Sequence, residues 1–449
     1  MCATKTGRVL YRSVHCAMTI FFHPHPIFRI FPRHWFPLCL LAGTMIAPAA
    51  EPPATWDDCV GELIRNNPQL QAFNAVVEQA QANVMGNYGP FLPQISARGS
   101  IGKSNTELDT GYQDATSYQA SLSAYQSLFA GFGDVATLRR SQAMLTLAEI
   151  NLQTTKAALS AALRQSFARL LYAQDFVQLA EVIAARRKEN VNLVEMRFEA
   201  GRENKGSFLR NKAFYRQALF DMTQSHRGLK TAQQQMAATL GRHGITLLTV
   251  TGNWDFVALP EAPDFNALAL QTPDYHSAKT QVRAAKEGVR IAKRDFYPTW
   301  SVNGSIGRSD DDSFIPKNDQ WSVSTVLSYP LFTGGQHWYG VRGAKADQRK
   351  AENTLNDTEN QMVATLEDRF VAWQDAAERI DVQNEFLKAA EVRAEIARAQ
   401  YQNGLLSFED WDLIENDLID KQKAMLASQR DAVVARANWE KALGTGVIP

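Results

Sequence analysis

The chain has 449 residues, 45% of them hydrophobic, with 47 basic and 47 acidic side chains, enough for two or three ordinary domains or for one extended molecule built of long elements. The even charge provides no basic excess of the kind nucleic acid requires, so a nucleic-acid partner is not expected. Three of the four cysteines lie in the first 50 residues, which leaves Cys59 alone and excludes a disulfide-built scaffold.

Residues 1–50 contain Lys5, Arg8, Arg12, Arg29 and Arg33 and no acid, then a short apolar run from Phe36 to Ile46 and a small-residue site at Ala47-Pro48-Ala49. This reads as a secretory signal peptide; the apolar run is too short to span a bilayer as an anchor. Subtracting its five basic residues from 47 leaves 42 against 47 acids, a net charge of about −5 for the exported chain. Neither Cys39 nor Cys59 stands in a lipid-attachment context, so no N-terminal lipid is expected.

The next stretch, Asp57 to about Met85, has helical spacing. Two alternating segments follow. Ile95, Ala97, Gly99 and Ile101 oppose Ser96, Arg98 and Ser100, and Tyr118, Ala120, Leu122 and Ala124 oppose Gln119, Ser121 and Ser123. Such period-2 patterning predicts strands with one apolar face, joined by a polar loop of more than ten residues. Within the first strand, "RGSIGKS" (98–104) imitates the end of a phosphate-binding loop. It lacks the leading glycine (Ala97 stands there) and runs into turn chemistry rather than a helix, so the anion site is missing.

A glycine turn at 131–133 opens about 65 proline-free residues. Leu138, Leu145, Leu152 and Leu159, then Leu163, Leu170, Val177, Ala184, Val191 and Phe198, step by seven with one four-residue step between the two runs. That register predicts a coiled-coil helix with a stutter, roughly 100 Å long. It ends at Gly201 and reverses through "RENKGS" into a second helix closing at Gly241. Residues 242–263 break the pattern and are assigned as a linker or equatorial segment.

From Thr272 the chain repeats itself. Gly99–Ser104 corresponds to Gly304–Ser309 at an offset of 205, while Leu128-Phe129-Ala130-Gly131, Phe198-Glu199-Ala200-Gly201 and Leu240-Gly241 correspond to Leu331-Phe332-Thr333-Gly334, Tyr401-Gln402-Asn403-Gly404 and Leu443-Gly444 at 203. The copies are therefore taken as 51–241 and 264–444, each helix, two strands, long helix, helix, with 445–449 as a tail. Aromatic residues (Tyr88, Phe91, Tyr118, Tyr297, Trp300, Trp321) gather at strand ends, as at the rims of a membrane barrel. Four strands cannot close a barrel, and open edges are not tolerated in lipid. Three chains giving twelve strands is the smallest ring with a useful lumen, and the long helices would carry the conduit across the periplasm.

The order and duplicate spacing of "LPQIS"/"YPTWS", "SLFAGFG"/"PLFTGGQ" and "FEAGRENKGSFL"/"YQNGLLSFEDWDL" resemble the TolC-like outer-membrane efflux and export channels, over residues 56 to 444. The resemblance implies a mainly α fold with a membrane β part. It implies a homotrimer whose tandem helical hairpins form an α-barrel below a twelve-stranded β-barrel in outer-membrane lipid. It also implies a periplasmic adaptor (a membrane fusion protein) and an inner-membrane pump as partners, in efflux or type I secretion, with no cofactor. By the same analogy Gly201, Asn204, Ser207, Gly404, Leu405 and Ser407 mark the periplasmic tip where the adaptor docks, and Phe198, Tyr401 and Asp410 are candidates for the gate. Tyr401 matches a tyrosine that holds the entrance closed in some members, but the basic position two after the glycine is Leu406 here. The acidic position six after it is Asp410 in one copy and Ser207 in the other. Glu199, Arg202, Glu203 and Lys205 offer substitute ion pairs or simply a solvated loop; Phe198 and Tyr401 equally suit seam packing. The four histidines outside the leader, His226, His243, His276 and His337, have no metal spacing, and no enzyme is expected. The rival readings are a periplasmic adaptor-like coiled-coil protein and a soluble coiled coil; neither accounts for the paired strands.

Overall fold

A computed structural model describes residues 52–108, 111–244, 247–254, 260–311 and 313–449; the predicted signal peptide lies outside them. The elements in chain order are α1 (Trp56–Asn66), α2 (Pro68–Gly86), β1 (Gln94–Leu108), β2 (Gly111–Ala130), α3 (Gly133–Glu199), α4 (Lys205–Leu240), α5 (Phe265–Ala269), α6 (Pro273–Lys293), β3 (Thr299–Asp310), β4 (Asn318–Ser328), α7 (Gln336–Gln402) and α8 (Phe408–Leu443).

The predicted helical stretch from Asp57 is two helices. Pro68 has no N–H to continue α1 and suits the first position of α2, while the Asn67 side chain accepts from Leu70 N–H and donates to Thr239 O at 2.9 Å. Thr272 and Pro273 start α6 in the same way.

Helices α3 and α7 have 67 residues each, and α4 and α8 have 36 each. The heptad positions face inward: Leu159, Leu163, Leu170, Val177 and Ala184 are buried on α3, and Met362, Leu366, Trp373, Ala394 and Tyr401 on α7. Two of the cores are one core written twice. Leu159, Leu163, Phe167, Leu170 and Met236 occupy the first, and Met362, Leu366, Phe370, Trp373 and Trp439, each 203 residues later, the second. The four-residue step lies inside both, where locally straightened helices accept a third layer. Around the first core that layer is α1 with Leu248 and Val250 of the linker, the latter in a parallel bridge to Ala54.

Cys59 is buried in that core, and burial, followed by the nearby Glu62 and Asp58, pushes its thiol up to about 11, with Arg242 opposing. The folded state therefore favours the protonated thiol. Its contribution to stability is full below the free-chain value near 8.5 and is lost as pH rises towards 11. Iodoacetamide at pH 8 is expected to label Cys59 at least about a hundredfold more slowly in the folded protein than in denaturant; comparable rates would mean that α1 does not stay docked.

The strands form one antiparallel sheet in the order β1-β2-β3-β4, so β1 and β4 are its edges. The first hairpin is longer than predicted, because the polar residues assigned to its loop stay in the ladder. Asn105 pairs with Asp114 and donates to it at 2.6 Å, and pairing continues to Leu108 and Gly111. Period-2 alternation marks only where one face is apolar, and a strand wet on both faces carries no such mark. One face of the sheet carries Ile95, Ala97, Ile101, Leu122, Ile306, Trp321 and Val323; on the other, Ser96, Ser123, Ser305 and Ser322 stand in one row, with Oγ–Oγ distances of 2.9 Å (Ser96–Ser123) and 2.8 Å (Ser305–Ser322). The segment "RGSIGKS" is part of β1 and meets no helix. No helix among the described residues is long and apolar enough to cross a membrane.

Candidate functional site at the helix reversals

Each long helix ends on a left-handed glycine. Gly201 (φ 72°) and Gly404 (φ 78°) allow Arg202 N–H to reach Arg197 O at 2.8 Å and Leu405 N–H to reach Gln400 O at 2.9 Å, closing carbonyls that the helix leaves open. The next helix is then capped. The Asn204 side chain accepts from Ser207 N–H at 2.8 Å, and Ser407 Oγ accepts from Asp410 N–H at 3.1 Å. Ser207 and Asp410 are thus the same position of α4 and α8. In α8 it is an acid that also accepts from the Ser407 hydroxyl at 2.8 Å and sits favourably at a positive helix end.

Of the tip candidates, Gly201, Asn204, Gly404, Leu405 and Ser407 are exposed, Leu405 at 78%, and so is the gate candidate Asp410. Ser207 is buried, inside the cap rather than on the surface. Phe198 stacks on Phe208 with centroids 5.6 Å apart, joining α3 to α4.

Tyr401 is fully buried. Its ring stacks on Trp411 at 4.4 Å and 8°, with Phe408 at an angle to both. Its hydroxyl donates to Glu203 Oε2 at 2.9 Å across the two hairpins, and the Arg197 guanidinium lies 4.6 Å over its ring. Arg197 also donates to Tyr401 O at 2.8 Å and Gln402 O at 3.3 Å, and Arg398 pairs with Glu189 at 2.7 Å. Burial first, then the Glu203 acceptor, pushes the Tyr401 phenol up, with Arg197 opposing, so the hydroxyl remains a donor throughout the physiological range. The seam position and the cross-hairpin tie are therefore the same residue. Of the four loop charges singled out in the sequence, Glu203 takes the hydroxyl; Glu199, Arg202 and Lys205 make no ion pair among the described residues.

Beside Trp411 on α8, Asp412 belongs to a cluster that sequence reading missed. Arg187 of α3 and Asp412 of α8, both almost fully buried, meet at 3.5 Å; Arg210 of α4 reaches the other Asp412 oxygen at 3.1 Å, and Asn416 accepts from Arg187 at 2.5 Å. Glu415, also buried, accepts from Asn190 at 3.4 Å. The signal was available in α8, where Asp412 and Glu415 alternate with Trp411, Ile414 and Leu418 at inward spacing. Among the described residues no group of three or more His, Cys, Asp or Glu side chains is placed to hold a metal.

Two copies of a long helical hairpin, each followed back to a two-stranded β-hairpin in a shared open-edged sheet, define the subunit fold of outer-membrane channels. The structure is similar to that of the CmeC outer membrane channel of Campylobacter jejuni, with a TM-score of 0.78 at 16% identity, covering 87% of this chain and 85% of that one. Residues 59–242 and 266–445 match the sequence model described as outer membrane efflux protein, and the chain belongs to that family. Among relatives it is 22% identical over 395 residues to the cation efflux system protein CusC of Escherichia coli K12, 86% of each chain. It is 24% identical over 422 residues to the pyoverdine export outer membrane protein OpmQ of Pseudomonas aeruginosa, covering 87% of this chain and 85% of that one.

Proposed function

We propose that three copies of the chain join β4 to β1, edge to edge, into a twelve-stranded barrel, and that the reversals at Gly201 and Gly404 form the gated periplasmic mouth of the conduit. The chain is an outer-membrane channel of an efflux or secretion system, working with adaptor and pump partners. The observation that carries the trimer is the sheet itself: one apolar face, one face of serines, and two unpaired edges. Unpaired strand edges cost several kcal/mol per group in hydrocarbon, and closure on neighbouring copies removes them. The apolar face gives way at its outer end to the pairs Lys103–Asp114 and Arg308–Asp319, where lipid headgroups begin. At its other end Tyr88, Phe91, Tyr297 and Trp300 are half exposed, as an interfacial girdle requires. Detergent extraction from the outer membrane and mass determination should yield a trimer; a soluble monomer would overturn the barrel.

At the mouth, the Tyr401–Glu203 bond ties the second hairpin to the first and holds the closed arrangement, while exposed Gly201, Asn204, Gly404, Leu405 and Ser407 receive the adaptor, with Ser207 supporting the cap beneath them. A hydrogen bond to a charged group contributes about 1.5–3 kcal/mol, so Tyr401→Phe or Glu203→Gln should raise the open population roughly tenfold or more in planar bilayers. Asp410→Asn should weaken block by multivalent cations while trimer yield stays normal. An unchanged cation block would remove Asp410 from the gate and leave it a helix cap.

A further inference from the structure

Among the described residues of the four strands, the polar face of the sheet carries one charge. Along the rows that share it, β1 contributes Ser96, Ser100, Gly102 and Ser104; the corresponding positions of β2, β3 and β4 are serine, glutamine, asparagine, glycine, alanine, tyrosine and valine. The exception is Arg98. Its row runs Arg98, Ser121, Gly307, Gln320 across the four strands, so its neighbours are a short side chain and a residue with none. Gly307 has no room for more, since a Cβ there would stand 2.6 Å from Ala120 O. Arg98 is exposed and has no ion-pair partner among the described residues. The charges of the apolar face differ, for Lys103 and Arg308 each face a carboxylate, Asp114 and Asp319.

The apolar face must meet hydrocarbon, so the serine face with Arg98 lines the water-filled interior. We propose that Arg98 makes the β-barrel lumen selective for anions, three guanidinium groups, one per chain, forming a ring in a wall that holds no carboxylate among the described strand residues. This rests on the trimeric closure proposed above. A ring of one sign, bounded by low-dielectric walls, concentrates counter-ions and sets the sign of what passes. The preferred solutes are multivalent anions and cargo bearing carboxylate or phosphate groups, which guanidinium binds in bidentate fashion.

The test uses the purified wild-type trimer in planar bilayers, with hexacyanocobaltate(III) as an inert trivalent anion added to each compartment in turn, and hexaamminecobalt(III) as its cationic counterpart. At 10 mM KCl the field of the ring reaches about 30 Å, and at 1 M about 3 Å. Half-block by the anion from the barrel side should require about tenfold more reagent in Arg98→Gln than in wild type at low salt, and the difference should vanish at 1 M. Arg98→Lys should keep the block and Arg98→Glu transfer it to the cation. Arg98→Gln channels of normal conductance blocked like the wild type, or Arg98→Lys behaving like Arg98→Gln, would overturn the proposal while leaving the barrel intact. Failure of the wild-type chain to form a trimer or any channel would overturn the barrel itself, and the lumen with it.

Discussion

Asp412→Ala should cost about 3–5 kcal/mol of unfolding free energy in detergent at pH 7, because it strands Arg187 in the interior without a counter-charge. Arg187 and Asp412 have almost no solvent of their own. Burial pushes Arg187 down and Asp412 up, and each offsets the other's shift, with Arg210 adding a second cation beside Asp412. The net direction at Asp412 is upward, so this carboxyl takes its proton at a higher pH than a free one. The contribution from that raised value is full below the free value near 3.9 and is lost as pH rises through the folded one. The cost of Asp412→Ala should therefore grow as pH falls from 7 towards 4, because the wild type gains that contribution on protonation and the alanine variant has no group to gain it. Replacing both partners, Arg187→Met with Asp412→Leu, should recover most of the loss, since an apolar pair needs no desolvated charge. A single-variant cost under about 1 kcal/mol would mean that water reaches the cluster. The cluster joins α3, α4 and α8 at one level, so the double variant also asks whether the charges are needed to hold the helices in register.

Trp411→Ala should be of similar size, about 3–5 kcal/mol, for a different reason. The indole is buried between the Tyr401 ring and Phe408, and no collapse of its neighbours fills that volume without moving the phenol that reaches Glu203. Loss of stability should thus come with an increase in channel opening, read as bilayer conductance. Trp411→Phe is the contrasting case. The indole N–H is buried without an acceptor, so the smaller ring removes an unsatisfied donor as well as some contact area, and the net cost should stay below about 1.5 kcal/mol. If Trp411→Phe is as damaging as Trp411→Ala, the stacking with Tyr401 does not carry the stability of the tip.

At the two hairpin mouths, part of the site is legible in residue order and part is not. Gly201 and Gly404 stand at the ends of heptad runs with Asn204 and Ser407 three residues beyond, so the reversals and their caps follow from residue type and spacing alone. The equivalence of Ser207 and Asp410 follows from the repeat. What binds Tyr401 does not: Glu203 and Arg197 lie 198 and 204 residues away in sequence, and among the many charges near Gly201 no pattern selects these two. The expected basic partner at Leu406 is absent, and an acid on the other hairpin accepts the hydroxyl in its place.

The sequence by itself determined the duplication, the two very long helices with their shared stutter, the apolar face of each strand and the family, because periodicity and repetition are local properties written into residue order. The tertiary structure decided which charges are buried and which are paired, how far the first hairpin's ladder runs into polar residues, where Pro68 divides the first helix, and which wall of the sheet holds a solitary arginine. Those features depend on what lies opposite a side chain, and the opposing group belongs to another helix or strand that residue spacing along a single element does not specify.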